Sequence, residues 1–177
     1  MYRSTTLQPI SFFAALLFAF SLTPSSAAAL DLDVAGVFLL GSGVDTGDAE
    51  NNPYQLQIGG AGELTINGIV VGIRGTRSVG SREDCSPGCL QVDDLRTIGG
   101  DFGFDWEFLL LHISPRFGVG RINERDGGRV AAYIEPGGVA EIELGWITLG
   151  ADLRYRVAIS EADLSGFLAY FRGGLRF

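Results

Sequence analysis

Lysine is absent from this 177-residue sequence, and all 13 basic residues are arginine. They are outnumbered by 21 acidic residues, for a net charge of −8, and this acidic excess argues against a nucleic-acid partner. A single histidine, His112, leaves little material for a metal centre, so neither metal nor cofactor is expected. Past residue 30 the chain has no apolar run of about eighteen residues, which excludes a transmembrane helix. Any membrane location would have to be built from strands.

The two cysteines, Cys85 and Cys89, flank Ser-Pro-Gly. That turn-forming stretch suits a small disulfide loop in an oxidising compartment; two thiolates with no histidine nearby make at most half of a metal site.

What is present begins with an export signal. Arg3 precedes an apolar run from Ile10 to Leu22, followed by small residues, with cleavage expected near Ala27, Ala28 or Ala29. Residues 1–29 are therefore expected to be removed. Residues 30–177 then form one domain.

The domain reads with a period of two. Leu30, Leu32, Val34, Gly36, Phe38 and Leu40 share one parity, against Asp31, Asp33 and Ala35. A second segment sets Tyr54, Leu56, Ile58, Leu64 and Ile66 against Gln55, Gln57, Glu63 and Thr65. Asn67-Gly68 is a strong two-residue hairpin signal, and the apolar parity switches across it to Ile69, Val71 and Ile73. Equivalent switches fall at Leu109-Leu110 and Gly145-Trp146. The connections at Gly41–Asn52, Gly80–Asp93, Asn123–Gly128 and Ser160–Asp163 are longer. Short and long connections alternate as in an outer-membrane barrel. The expected fold is all-β: an eight-stranded antiparallel up-and-down transmembrane β-barrel with both ends on the periplasmic side.

The polar face carries both signs of charge. Glu63, Asp101, Asp105, Glu107, Glu135, Glu141, Glu143 and Asp152 share it with Arg74, Arg116, Arg154, Arg156, Arg172 and Arg176. A barrel of this size is filled by its own side chains, so these groups are expected to pair inside and plug the lumen. A secreted lipocalin-like barrel would turn the apolar face inward. Against it stand the strand lengths and two aromatic clusters: Trp106, Phe108 and Trp146 near the tight turns, and Tyr54, Tyr155 and Phe167 at the other end, which read as interfacial girdles.

The final segment, Phe167 to Phe177, alternates and ends on Phe. It resembles the signal by which outer-membrane barrels are recognised by their assembly machinery, with Phe171, Leu175 and Phe177 as its apolar positions. The chain from residue 30 onward is similar in plan to the OmpA-like and OmpX-like small barrels. That resemblance implies the outer membrane of a Gram-negative bacterium, the assembly machinery and outer-membrane lipids as partners, and no peptidoglycan-binding domain after Phe177.

His112-Ile-Ser114 is similar to the His-x-Ser pair of outer-membrane lipid A deacylases. In those enzymes the pair acts near the external end, whereas His112 follows a periplasmic turn, so a lumenal hydrogen-bonded histidine is expected instead. Pro115 and Pro136 are expected to face each other across neighbouring strands and to interrupt the ladder. That interruption is either a bulge or a lateral weak point through which an apolar ligand could enter. Parity also sends Arg77, Arg96 and Arg121 outward near the external rim, as candidate contacts for lipopolysaccharide phosphates. The expected role is a non-enzymatic envelope protein, structural or interaction-mediating; the alternatives are a lipid A-modifying enzyme and a carrier of small apolar ligands.

Overall fold

The computed structural model describes residues 31–46, 54, 56–79, 95–124, 128–161 and 164–177. The segment expected to be an export signal, Cys85 and Cys89 lie outside the described residues. Nine strand elements are formed: β1 (Leu32–Asp45), β2 (Gln57–Ile66), β3 (Ile69–Ser78), β4 (Leu95–Phe104), β5 (Trp106–Phe108), β6 (Leu111–Glu124), β7 (Val130–Leu144), β8 (Ile147–Ile159) and β9 (Gly166–Arg176).

They make eight staves, because β4 and β5 are one strand with a break. Gly103 pairs with Arg116 and Trp106 with Ile113, so the register against β6 continues unshifted across Asp105. The cause is Pro115, which this register sets opposite Phe104 and which has no N–H to donate. The Ser114 hydroxyl donates to the Phe104 carbonyl instead, at 2.6 Å. All pairings are antiparallel between sequence neighbours, and β1 closes on β9 from Ala35↔Arg176 to Asp45↔Gly166. Val34 and Phe177 exchange two backbone hydrogen bonds of 2.9 Å, completing that seam where β1 begins and β9 ends. Closure removes both sheet edges.

The three tight turns lie where parity put them. Asn67 and Gly68 both have positive φ, 50° and 80°, as a type I′ turn requires. Gly145 (φ 70°) opens the Gly145-Trp146 turn, and Leu109 (φ 62°) takes the same conformation at Leu109-Leu110.

Two expectations about the strands are corrected. Pro115 pairs with Gly138, and Pro136 with Phe117, so the prolines are two positions out of opposition. No bulge accompanies Pro136: pairing with β8 stops at Ile134↔Val157 and resumes at Gly137↔Arg154 in the same register. Only a hydrogen bond is lost there. Secondly, β2 starts at Gln57 rather than Tyr54, and β2 and β3 are 10 residues long, slightly shorter than the pattern suggested.

The wall is inverted relative to a soluble protein. Its outer surface exposes Phe38, Ile73, Ile98, Phe102, Leu153 and Phe171, while Arg74, Glu135, Asp152, Arg154, Arg156 and Arg172 are buried inside. Water outside would disfavour that arrangement, and lipid favours it.

Candidate functional site

Inward positions alternate along each strand, so charged residues from seven of the eight staves converge on one axis. Near the mouth at the tight turns, Arg176 contacts Glu141 (2.6 Å), Glu143 (3.1 Å) and Asp105 (3.5 Å). One level up, Arg172 holds Glu63 with two hydrogen bonds of 3.1 and 3.0 Å and reaches Glu141 through Nε at 2.8 Å. Arg116 approaches Glu63 from the opposite wall at 3.2 Å. Above them, Arg154 bridges Asp152 (3.0 Å) and Asp101 (3.3 Å), and Arg74 meets Asp152 at 3.2 Å and also pairs with Glu135. Arg156 then takes the other oxygen of Glu135 at 2.6 Å. Each of these guanidiniums meets a carboxylate, and most carboxylates are shared by two, so the ladder is built in two stacked clusters, one around Glu63 and Glu141 and one around Asp101, Asp152 and Glu135. The fork of arginine suits this sharing, and lysine could not reproduce it.

Space for such long side chains comes from glycine on the adjoining strand. Gly103 is paired with Arg116 and Gly137 with Arg154, and a Cβ on either would lie within 2.5 Å of the arginine Cδ.

The external half of the lumen is built differently. Tyr54, Tyr133 and Tyr170 are buried with Leu39, Leu95 and Ile122. Arg156 lies between two of the rings, 4.6 Å from the Tyr133 centroid and 5.6 Å from that of Tyr54, joining the tyrosines to the ladder. The Tyr170 hydroxyl donates to Gln57 at 2.6 Å, and the Tyr54 hydroxyl to the Leu164 carbonyl at 2.5 Å. Tyr54 was expected in the outer girdle and is instead fully buried. It precedes β2, so parity does not govern it; a hydrogen bond from Gly43 N–H to its carbonyl folds it over the mouth. Tyr133 and Tyr170 are on the inward parity, and that signal alone could have found them. Of the other girdle residues, Trp106, Phe108, Trp146 and Phe167 are exposed, and Tyr155 is half-buried with its ring 4.7 Å from that of Phe167.

Of the charged residues expected inside, Glu107 alone is not part of the buried network. It is exposed at the mouth near the tight turns, opposite His112, because β5 ends beyond the reach of the packed lumen. His112 Nδ1 lies 2.9 Å from Asp105 and Nε2 lies 3.3 Å from Glu143. With the Ser114 hydroxyl committed to Phe104, the two side chains do not form the nucleophile and base pair a hydrolase needs. Among the described residues no cluster of His, Cys, Asp and Glu is arranged to hold a metal.

On the outside, Arg77 and Arg96 are directly paired across β3 and β4, while Arg121 pairs with Ile98 one outward step lower. All three are exposed. Phe171, Leu175 and Phe177 lie on the outward face of the final strand and its end.

No protein-family model matches the sequence, and no curated protein matches it. Solved structures do match. Neisserial surface protein A (NspA) aligns with a TM-score of 0.53 and 11% identity over 84% of this chain and 98% of its own. Ail, the attachment invasion locus protein of Yersinia pestis, solved in complex with the heparin analogue sucrose octasulfate, aligns with a TM-score of 0.55 and 13% identity. That match covers 85% of this chain and 100% of Ail. At such identities the likeness is one of fold: this chain has the fold of the small eight-stranded outer-membrane barrels.

Proposed function

Starting from that shared fold, we propose that the protein is a non-enzymatic barrel of the Gram-negative outer membrane. Its lumen is plugged by its own side chains, and its role in the envelope is structural or interaction-mediating. The observation that carries this reading is the buried ladder, in which Arg156 and Arg172 are 0% and 1% exposed and each is held by a carboxylate. A water-filled channel would hydrate such groups, whereas here they are paired with carboxylates beneath a cap of tyrosines. The exposed alternating segment ending at Phe177 supports recognition by the barrel assembly machinery. The outward Arg77, Arg96 and Arg121 support contact with lipopolysaccharide.

A swelling assay tests the plug. Lipid vesicles carrying the folded, heat-modifiable protein are expected to swell no faster in small sugars than protein-free vesicles. Swelling at porin-like rates would reject the reading.

A further inference from the structure

Glycines occur on both faces of this barrel, and only one set is explained from within. Inward glycines such as Gly41, Gly103, Gly137 and Gly150 would drive a Cβ to within about 2.6 Å of a neighbouring backbone or side chain. Outward ones would not. A Cβ on Gly36 meets nothing within 4 Å, on Gly62 only Ile73 at 3.9 Å, and on Gly75 only the Thr97 carbonyl at 3.5 Å. None of these three needs a positive φ. A β-branched or aromatic residue would serve a strand better at each.

These outward glycines are contiguous. Gly36 pairs with Gly62, Gly60 follows as the next outward position on β2, Gly60 pairs with Gly75, and the next outward position on β3 is Arg77. Two hollows in the outer wall, of about 560 and 500 Å³, meet at Gly75. Phe38 stands on one side, and Ile73 and Ile98 on the other, 72% and 65% exposed because glycine neighbours leave their flanks bare. The upper hollow ends on Arg77 and Arg96, the directly opposed pair. Arg77 is eight residues above the Asn67-Gly68 turn, roughly 20 Å up the bilayer normal for a tilted strand, near the top of an apolar band about 25 Å tall. The result is an apolar trough with two guanidiniums at its upper end, at headgroup depth.

We propose that this trough is a lipid-binding site that takes one acyl chain of a phosphorylated outer-leaflet glycolipid, a lipid A-type molecule, with its phosphate bridging Arg77 and Arg96. This rests on the membrane-barrel reading above and gives the rim contacts a defined partner. Guanidinium and phosphate match in geometry and charge. The glycine floor lets the chain approach the backbone, recovering contacts that a bumpy wall would deny it.

The test uses the full chain folded in detergent, titrated with purified lipid A and followed by native mass spectrometry. Filling the floor with Gly62→Leu and Gly75→Leu together, where space is available, is expected to weaken lipid A binding on the order of tenfold, since several buried methylenes are displaced. Arg77→Gln with Arg96→Gln is expected to lose a similar factor. Dephosphorylated lipid A should bind weakly to the native chain and be insensitive to the arginine changes. Unchanged lipid A affinity in the heat-modifiable floor-filled variant would overturn the site while leaving the barrel reading intact. A native chain that dimerises until the floor is filled, with lipid A binding unaltered, would likewise replace the lipid by a second copy. Failure of the native chain to insert in lipid vesicles as a heat-modifiable barrel would instead remove the membrane-barrel reading on which the site rests.

Discussion

The two halves of the lumen solve the same problem with opposite chemistry. The half near the tight turns packs Glu63, Glu141, Arg116, Arg172 and Arg176 against one another, so each side chain is tolerable only because of another. The external half packs Leu39, Leu95, Ile122, Tyr133 and Tyr170, whose burial stands on its own account. A charge taken out of water is costly until paired, whereas an apolar or singly bonded side chain contributes locally. The half near the tight turns should therefore respond as a unit and the opposite half residue by residue.

The largest effect is expected where one carboxylate serves two guanidiniums. Glu63→Ala strands the buried Arg116 and leaves the buried Arg172 with Glu141 alone. A loss of about 3–5 kcal/mol is expected in urea unfolding from lipid bilayers, the range for removing one partner of a buried pair. A double-mutant cycle with Arg172→Met should show strong coupling; additive losses would erase the distinction between the halves. In the external half, Leu39→Ala should cost about 2–3 kcal/mol, the usual toll of a cavity, and should add simply to changes in the ladder. The smallest effect is expected for Tyr170→Phe, which deletes one hydrogen bond to Gln57 and keeps the ring: about 1 kcal/mol by the same unfolding assay. A Tyr170→Phe loss as large as that of Glu63→Ala would show that the two halves are one network.

The inner and outer walls were legible because alternation in a strand leaves no freedom: once Asn67-Gly68 fixes a hairpin, parity assigns every side chain to lipid or lumen. Leu149, Phe117 and Phe102 point out, and Arg154, Arg116 and Asp101 point in, as the pattern required. Legibility failed where the ladder ends. Tyr54 precedes its strand and is turned inward by a bond to Gly43, and Glu107 keeps the lumenal parity but lies past the packed interior. The register of β6 against β7 was set two residues from its true position, because the shape of an external connection is not encoded in strand periodicity. The outward glycines carried a signal that alternation cannot interpret. Crowding explains a glycine inside, and only the three-dimensional wall shows that Gly36, Gly62 and Gly75 have room to spare.

The most direct measurement is single-channel recording in planar bilayers with the purified, heat-modifiable protein. A lumen spanned by the ladder and capped by Tyr54, Tyr133 and Tyr170 is expected to give no stable open level, and replacing Glu63, Arg116 and Arg172 together by alanine should introduce conductance steps if the barrel still forms. Reproducible large steps from the native chain would contradict the plugged lumen outright.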